Sequence, residues 1–378
     1  MPTIFATPLG VPSAMQQITI YREAGRYAGW PANYGIWAWG DEIVVGFTVG
    51  YFQGGAHYHT RDRERPFETL QARTLDGGRT WNVQPIPARI PGNRALSADE
   101  HLASHLHVAP FLDSGPNALE PCPGTVDFTH PDFALLCART GLRAGARSWF
   151  YLSIDRCHTW QGPYGLPLFG QTGVAARTDY LVDGPQQCTL FLTAAKPNGE
   201  EGRVFCARTE DGGRSFSFRS WVTPEPEGYT IMPASVRLPS GRILTAVRAS
   251  ESRVSGPARR CWIDLYASDD DGATFDHLSR PVADTGFGGN PPTLTQLADG
   301  RLCLVYGFRD PPSAIQAVLS ADGGRTWGKP VSLRTGAGNH DLGYPRTVQR
   351  PDGKLVTVYY WNDDAQGDRY LAATIWQP

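Results

Sequence analysis

Thr74-Leu75-Asp76-Gly77-Gly78-Arg79-Thr80-Trp81 is followed by four close variants of itself. They are Ser153-Ile154-Asp155-Arg156-Cys157-His158-Thr159-Trp160, Thr209-Glu210-Asp211-Gly212-Gly213-Arg214-Ser215-Phe216, Ser268-Asp269-Asp270-Asp271-Gly272-Ala273-Thr274-Phe275 and Ser320-Ala321-Asp322-Gly323-Gly324-Arg325-Thr326-Trp327. The shared frame is Ser/Thr-x-Asp-x-Gly-x-Thr/Ser-Trp/Phe, and only the second copy departs from it, with Cys157 in the glycine's place. The copies begin at residues 74, 153, 209, 268 and 320. Repetition at such intervals marks a modular β architecture, most often a propeller. In each turn the Asp side chain accepts hydrogen bonds from nearby backbone N–H groups. The glycine takes a positive φ without steric cost, and the terminal ring packs between neighbouring sheets. A single Asp-Gly hairpin turn is commonplace. Five that end in an aromatic ring define a scaffold, though not a chemistry.

A second repeat lies between the first ones. Segments starting at Pro233, Pro292 and Pro345 each read as a short strand, a turn at Gly241, Gly300 or Gly353, and an apolar strand. Looser versions surround Gly40-Asp41 and Asp183-Gly184, and Phe128 to Arg139 supplies the corresponding strand of the remaining unit. Each unit is therefore expected to run strand, turn, strand, strand, Asp-containing turn, strand. Six such units fit, at about 30–90, 91–168, 169–225, 226–285, 286–335 and 336–378. The last lacks an Asp-containing turn, so its outer strand must come from elsewhere. Gln17 to Tyr21 is the candidate that closes the ring. The predicted fold is all-β, a six-bladed β-propeller in one domain of 378 residues, with the insertion Arg89 to Asp127 forming rim loops.

Composition narrows the function classes. A net charge of −2 leaves no electrostatic footprint for nucleic acid or an anionic membrane surface. No apolar run is long enough for a transmembrane helix, and the first residues lack a basic stretch followed by an apolar one, so no secretory signal is visible. The seven cysteines include no CxxC pair. They read as buried thiols in a reducing compartment, which makes a cytoplasmic location the expectation.

The turns and the six units resemble the sialidase (neuraminidase) superfamily of six-bladed propellers, over nearly the whole chain. The resemblance implies an exo-acting glycoside hydrolase that removes a terminal acidic sugar, sialic acid or a related ulosonic or uronic acid. It implies a carbohydrate partner and no cofactor. In that family three arginines hold the substrate carboxylate, a Tyr assisted by a Glu is the nucleophile, and an Asp is the acid/base. The matching positions are Tyr344 for the nucleophile, Arg248 and Arg309 for two of the arginines, and Asp62 for the acid/base. Two positions depart. Gly29 stands where the first arginine is expected, and Met232 where the Glu is expected.

Other residues are candidates to fill the gaps. Arg346 alternates to the same strand face as Tyr344 and either supplies a missing charge or ties blades together. Glu227 or Glu251 replaces the missing base, or each is a solvated loop carboxylate. His57 and His59 titrate near neutral pH and are candidates for acid or base. Their spacing also fits metal ligation, as does that of His105 and His107 beside Asp99 and Glu100, but no complete ligand set emerges and no metal is expected. His340 and Asp341 orient the tyrosine, contact sugar hydroxyls or cap a turn. Trp30, Trp37, Trp39 and Trp361 are candidates to stack on a sugar or to pack blades. Two other readings stay open: a polysaccharide lyase using Tyr, His and Arg on a uronate, and a propeller that binds glycan without cleaving it.

Overall fold

The computed structural model describes residues 15–55, 58–96, 99–251 and 260–378. Its strands form six antiparallel sheets arranged as the blades of a propeller. The first sheet pairs Arg26–Gly29 and Ile36–Trp39 with Glu42–Tyr51, and continues through Glu68–Thr74 to Asn82–Pro85. The third is built in the same way from residues 174–221, and the fourth and fifth are four-stranded meanders over residues 229–282 and 293–335. The sixth runs Gly343–Gln349, Leu355–Trp361, Tyr370–Trp376, and its outer strand is Gln16–Tyr21 from the other end of the chain. Gln17 there lies opposite Thr374, and Ile18 opposite Ala373. The last sheet thus gains its fourth strand, and the ring closes without a long unpaired edge.

The second blade corrects one expectation. It has three strands, Ala134–Arg139, Ser148–Ser153 and Gln161–Gly165. Its Asp-containing turn joins the last two, so the strand missing is the innermost. The chain before it carries Pro110, Pro116, Pro121, Pro123 and Pro131. Proline has no N–H to give to a ladder. This stretch instead makes single 3-10 turns, among them Asp99–His101 and Ser104–Leu106.

Blade-to-blade packing follows the strand alternation. Every residue of Ala134–Arg139 is buried. Ala134, Leu136 and Ala138 pack with Tyr34 and Val44 of the first blade, while Leu135 and Cys137 pack with Leu190 and Leu192 of the third. All seven cysteines are buried and free.

The five turns are built alike. In each, the first hydroxyl donates to Asp Oδ1 at 2.8–2.9 Å and accepts the N–H of the glycine position at 2.9–3.0 Å. The Asp also accepts the backbone N–H of the second Thr or Ser at 2.9 Å. Cys157 keeps this geometry at φ +64°, a conformation a side chain tolerates poorly. Hydrogen bonds from Thr274 and Ser268 hold the Asp270 carboxyl down to about 2. At Asp76 slight burial works the other way, but bonds from Thr80 and Thr74 outweigh it and again leave about 2. A carboxylate with a depressed folded pKa stabilises above its unfolded value of about 4, and that contribution fades as pH falls toward 2. Melting temperature should therefore drop across that window. The drop should be shallower in an Asp76→Asn, Asp270→Asn variant, which starts from a lower value at pH 7. Calorimetry showing the same slope in both proteins would refute this.

Candidate functional site

Three blades enter the ring by the same local device. Trp30-Pro31, Met232-Pro233 and Tyr344-Pro345 begin the inner part of blades one, four and six, and the residue before each proline has φ of +59°, +53° and +50°. Strand pairing slips between Ile231 and Ala234 and between Gly343 and Arg346. A left-handed residue followed by one without an N–H breaks the ladder and turns the first side chain toward the axis. Asn290 clamps the third case. Its Oδ1 accepts the N–H of Tyr344 at 3.0 Å and of Gly307 at 3.2 Å, and its Nδ2 donates to Leu342 O at 3.0 Å. Gly343 is required there, because a Cβ would come within 2.4 Å of Asn290 Nδ2.

Tyr344 opens onto a cavity of about 380 Å3. Arg139, Arg177 and Arg248 line it, each at least nine-tenths buried. Arg139 Nη2 donates to Glu100 Oε1 at 2.8 Å, while its Nε and Nη1 have no partner. Arg177 Nη1 pairs with Glu201 Oε1 at 2.8 Å, and its Nε is unpartnered. Arg248 spends its Nη groups on Met232 Sδ and Gly288 O and leaves Nε unpartnered. Three guanidinium groups gathered at one cavity favour an anion there, which a carboxylate would supply.

Beside Tyr344 stands His59, with ring centroids 6.2 Å apart and the rings near perpendicular. His59 Nδ1 lies 2.8 Å from Asp341 Oδ1. Asp341 is wholly buried, and its two oxygens also accept from Tyr360 Oη at 2.9 Å, Thr60 N at 3.0 Å, Thr60 Oγ1 at 2.8 Å and Arg369 Nε at 3.2 Å. Burial alone would raise this carboxyl, but His59, Arg369 and the Thr60 amide hold it well below the usual carboxylate range. An ionised Asp341 can only accept, so Nδ1 of His59 carries the proton. Burial lowers the His59 pKa, Asp341 pulls it back up, and Arg61 and Arg248 push it down again, with a net shift downward. The imidazole is therefore neutral at neutral pH, with an unprotonated Nε2. No described residue hydrogen-bonds that atom.

The blade-two insertion brings Glu100 and His101 to the same cavity. Burial raises the Glu100 carboxyl pKa, against the pull of Arg139. His101 lies flat on Trp30, centroids 4.4 Å apart. Glu100 and His101 also line an outer groove of about 700 Å3 with Arg63, His107, Thr140 and Arg143.

The structure thus brings Tyr344, Arg248, His59 and Asp341 together, and moves other expected residues away. Arg309 lies beneath Tyr344, its guanidinium carbon 5.6 Å from the ring. Its donors go to Leu342 O, Gly289 O, Tyr58 Oη and Tyr360 Oη, so it has none left for a ligand. Arg346 points along the axis the other way, where it ties Ala32 O to Thr178 O at 2.6 Å each and lines a separate cavity. Asp62 is outside the cavity and accepts the N–H of Glu64 at 2.9 Å. Trp30 is wholly buried under His101 and His59, so it supports them and meets no sugar. Gly29 and Met232 hold the departures in place: a Cβ on Gly29 would meet the Tyr27 ring at 3.0 Å, and Met232 is buried against Arg248. His340 is at the rim, against Phe287 and Tyr58. Glu227 and Glu251 are exposed, the latter bonded to Arg260 N. Trp37 packs on Trp160, Trp39 bonds to Pro131 O, and Trp361 is buried between blades. Asp99 accepts the N–H groups of Val108 and Ala109, and His105 is exposed. Among the described residues no group of three or more His, Cys, Asp or Glu could hold a metal ion, and no helix is long and apolar enough to cross a membrane. His57 lies outside the described residues.

No family model matches the chain, and no curated protein matches it. Solved structures do. A protein of unknown function from Dyadobacter fermentans has 18% identity and a TM-score of 0.67, covering 96% of this chain and 99% of that one. The NanB sialidase of Streptococcus pneumoniae, as its K499G mutant, has 11% identity and a TM-score of 0.60, covering 98% and 71%. An alpha-L-arabinanase of Penicillium chrysogenum, complexed with arabinobiose, has 14% identity and a TM-score of 0.57, covering 97% and 99%. At these identities the likeness is one of fold, the six-bladed β-propeller that glycoside hydrolases of different specificity share.

Proposed function

We propose that this chain is an exo-acting glycoside hydrolase that removes a carboxylate-bearing sugar from a glycan terminus. The observation that carries this reading is the trio Arg139, Arg177 and Arg248, three largely buried guanidinium side chains that line the cavity Tyr344 opens onto. Guanidinium groups pair with a carboxylate through two parallel hydrogen bonds. A volume of about 380 Å3 suits on the order of one or two sugar rings. It is backed by fully buried Trp30, Tyr360 and Arg309, which favours cleavage at a chain end. The fold shared with glycoside hydrolases supports a carbohydrate substrate.

Tyr344 is the nucleophile in this reading. A phenol has a reference pKa of about 10 and needs a base. Nε2 of His59 takes its proton as the tyrosyl oxygen bonds to the anomeric carbon. Glu100, at the junction of cavity and outer groove, protonates the departing oxygen. Water then attacks the same carbon and gives its proton to Glu100, while His59 returns the first proton to Tyr344. A neutral nucleophile avoids repulsion by the anionic sugar.

One observation favours a second reading. With Met232 where a polarising carboxylate is expected, the neutral His59 is the better base. It could take the proton next to a uronate carboxylate while Tyr344 protonates the leaving oxygen, which gives an elimination. A panel of sialosides and uronides, read for both released sugar and the ultraviolet absorbance of an unsaturated uronate, separates the two. Binding without turnover of any member would sink both.

Either reaction needs His59 unprotonated. Burial holds its pKa below the ordinary value of 6.5, so the acid limb of the kcat/KM profile should be centred below pH 6.5. An acid limb centred above pH 7 in the kcat/KM profile would contradict this.

A further inference from the structure

We propose that His101 is a second catalytic imidazole, fixed as a neutral N–H donor to the departing oxygen and opposite in tautomer to His59. The inference rests on the hydrolase reading for its role, but not for its geometry. Arg61 reaches both histidines. Its Nη1 donates to His59 O at 2.8 Å, and its Nη2 lies 3.3 Å from His101 Nδ1. A guanidinium has no acceptor, so Nδ1 of His101 must present its lone pair. A neutral ring then carries its proton on Nε2. That atom stands 3.7 Å from Glu100 Oε1, beyond hydrogen-bond reach, and no described residue bonds to it.

The charge state follows from the same neighbours. Arg61, Arg139 and Arg177 bear on His101 together with His59, against the carboxyl groups of Glu100 beside it and of Glu201 and Asp99, which line the same cavity and groove. Protonating Nδ1 would set an N–H against the Arg61 N–H. Burial and then Arg61 push the His101 pKa well down. Trp30 fixes both rings, stacked under His101 and edge-on to His59 at 5.1 Å. The two imidazoles stand 5.7 Å apart and perpendicular. One offers the substrate a lone pair and the other an N–H. A neutral imidazole N–H stabilises developing negative charge without adding a competing cation. Its place beside Glu100, where the cavity meets the outer groove, puts it against the oxygen that leaves.

Long-range proton–nitrogen spectra of the full-length protein test the geometry without any substrate. At pH 7 His101 should show a protonated Nε2 and a bare Nδ1, and His59 the converse, with assignments from His101→Gln and His59→Gln. The His101 pattern should persist at pH 6. A protonated Nδ1 or a doubly protonated ring for His101 at either pH overturns the proposal. On whichever panel substrate is turned over, His101→Leu should lower kcat by about 10^2-fold to 10^3-fold with little change in KM. His101→Gln, whose amide can place a donor where Nε2 stood, should stay within about tenfold of the parent protein. Equal losses in both variants would mark His101 as structural and overturn its catalytic role. If no panel member is turned over, the spectra still decide the tautomers, so failure of the hydrolase reading is distinguishable.

Discussion

Tyr344→Phe should lower kcat by on the order of 10^4-fold or more while leaving thermal stability almost unchanged. The separation of the two effects is what gives the experiment force. Tyr344 is nearly buried, and its ring packs against Tyr360 at 5.9 Å and over Arg309 at 5.6 Å. Phenylalanine keeps those contacts. The phenol's partner is the Arg248 guanidinium, which keeps Met232 Sδ and Gly288 O when the hydroxyl is lost, so the substitution strands no buried group. Substrate should still bind, because the arginines that hold the anion remain, and KM should move little. A fluorinated sugar analogue that slows the second step should add its mass to Tyr344 in the parent protein, which distinguishes a nucleophile from a proton donor. Turnover by Tyr344→Phe within tenfold of the parent would end the case for this residue.

Replacing Asp341 should produce the largest loss of stability of any single change at the site. Asp341→Ala removes the acceptor of five hydrogen bonds and leaves the wholly buried Arg369 without its carboxylate. Breaking a buried ion pair from one side costs about 3–5 kcal/mol. Asp341→Asn is the more informative variant. Its oxygen can still accept from Arg369 and Thr60, so the fold should survive with a smaller loss. Its amide, however, can donate to Nδ1 of His59 and draw the proton to Nε2. The base then faces the cavity with the wrong tautomer, and activity should fall on the order of 10^3-fold to 10^4-fold. Denaturant unfolding beside kcat/KM measures both. An Asp341→Asn protein of normal activity would show that His59 is not the base.

These residues differ in how visible they were in the chain. The scaffold was legible because each Asp-containing turn is a local object. Its hydroxyl, carboxylate and glycine lie within eight residues and bond to one another wherever the segment sits. Tyr344 and Arg248 were pointed to by the family resemblance, and they line one cavity. Arg139 was missed, although it closes the strand Ala134–Arg139 much as Arg248 stands near the end of Ile243–Ser250. The blade-two unit lacks its first strand, which hid the correspondence. Arg177 and Glu201 carry no comparable signal, and Glu100 and His101 come from an insertion with no repeat to align it. Arg309 and Arg346 show the converse error. Both occupy positions that suggested a ligand, but Arg309 gives its donors to carbonyls and tyrosine hydroxyls, and Arg346 bonds two carbonyls through Nη2 and lines a different cavity.

The amino-acid sequence by itself determined the turns, the six units and the closing strand, because those depend on neighbours a few residues apart and on alternation along a strand. Which guanidinium groups keep idle donors, which carboxylate locks which imidazole, and which face of the ring each side chain meets were decided only by the tertiary structure. Those properties depend on atoms from different blades arriving within hydrogen-bond distance. Asp341 meets His59 across 282 positions of chain, and nothing local to either residue encodes that encounter.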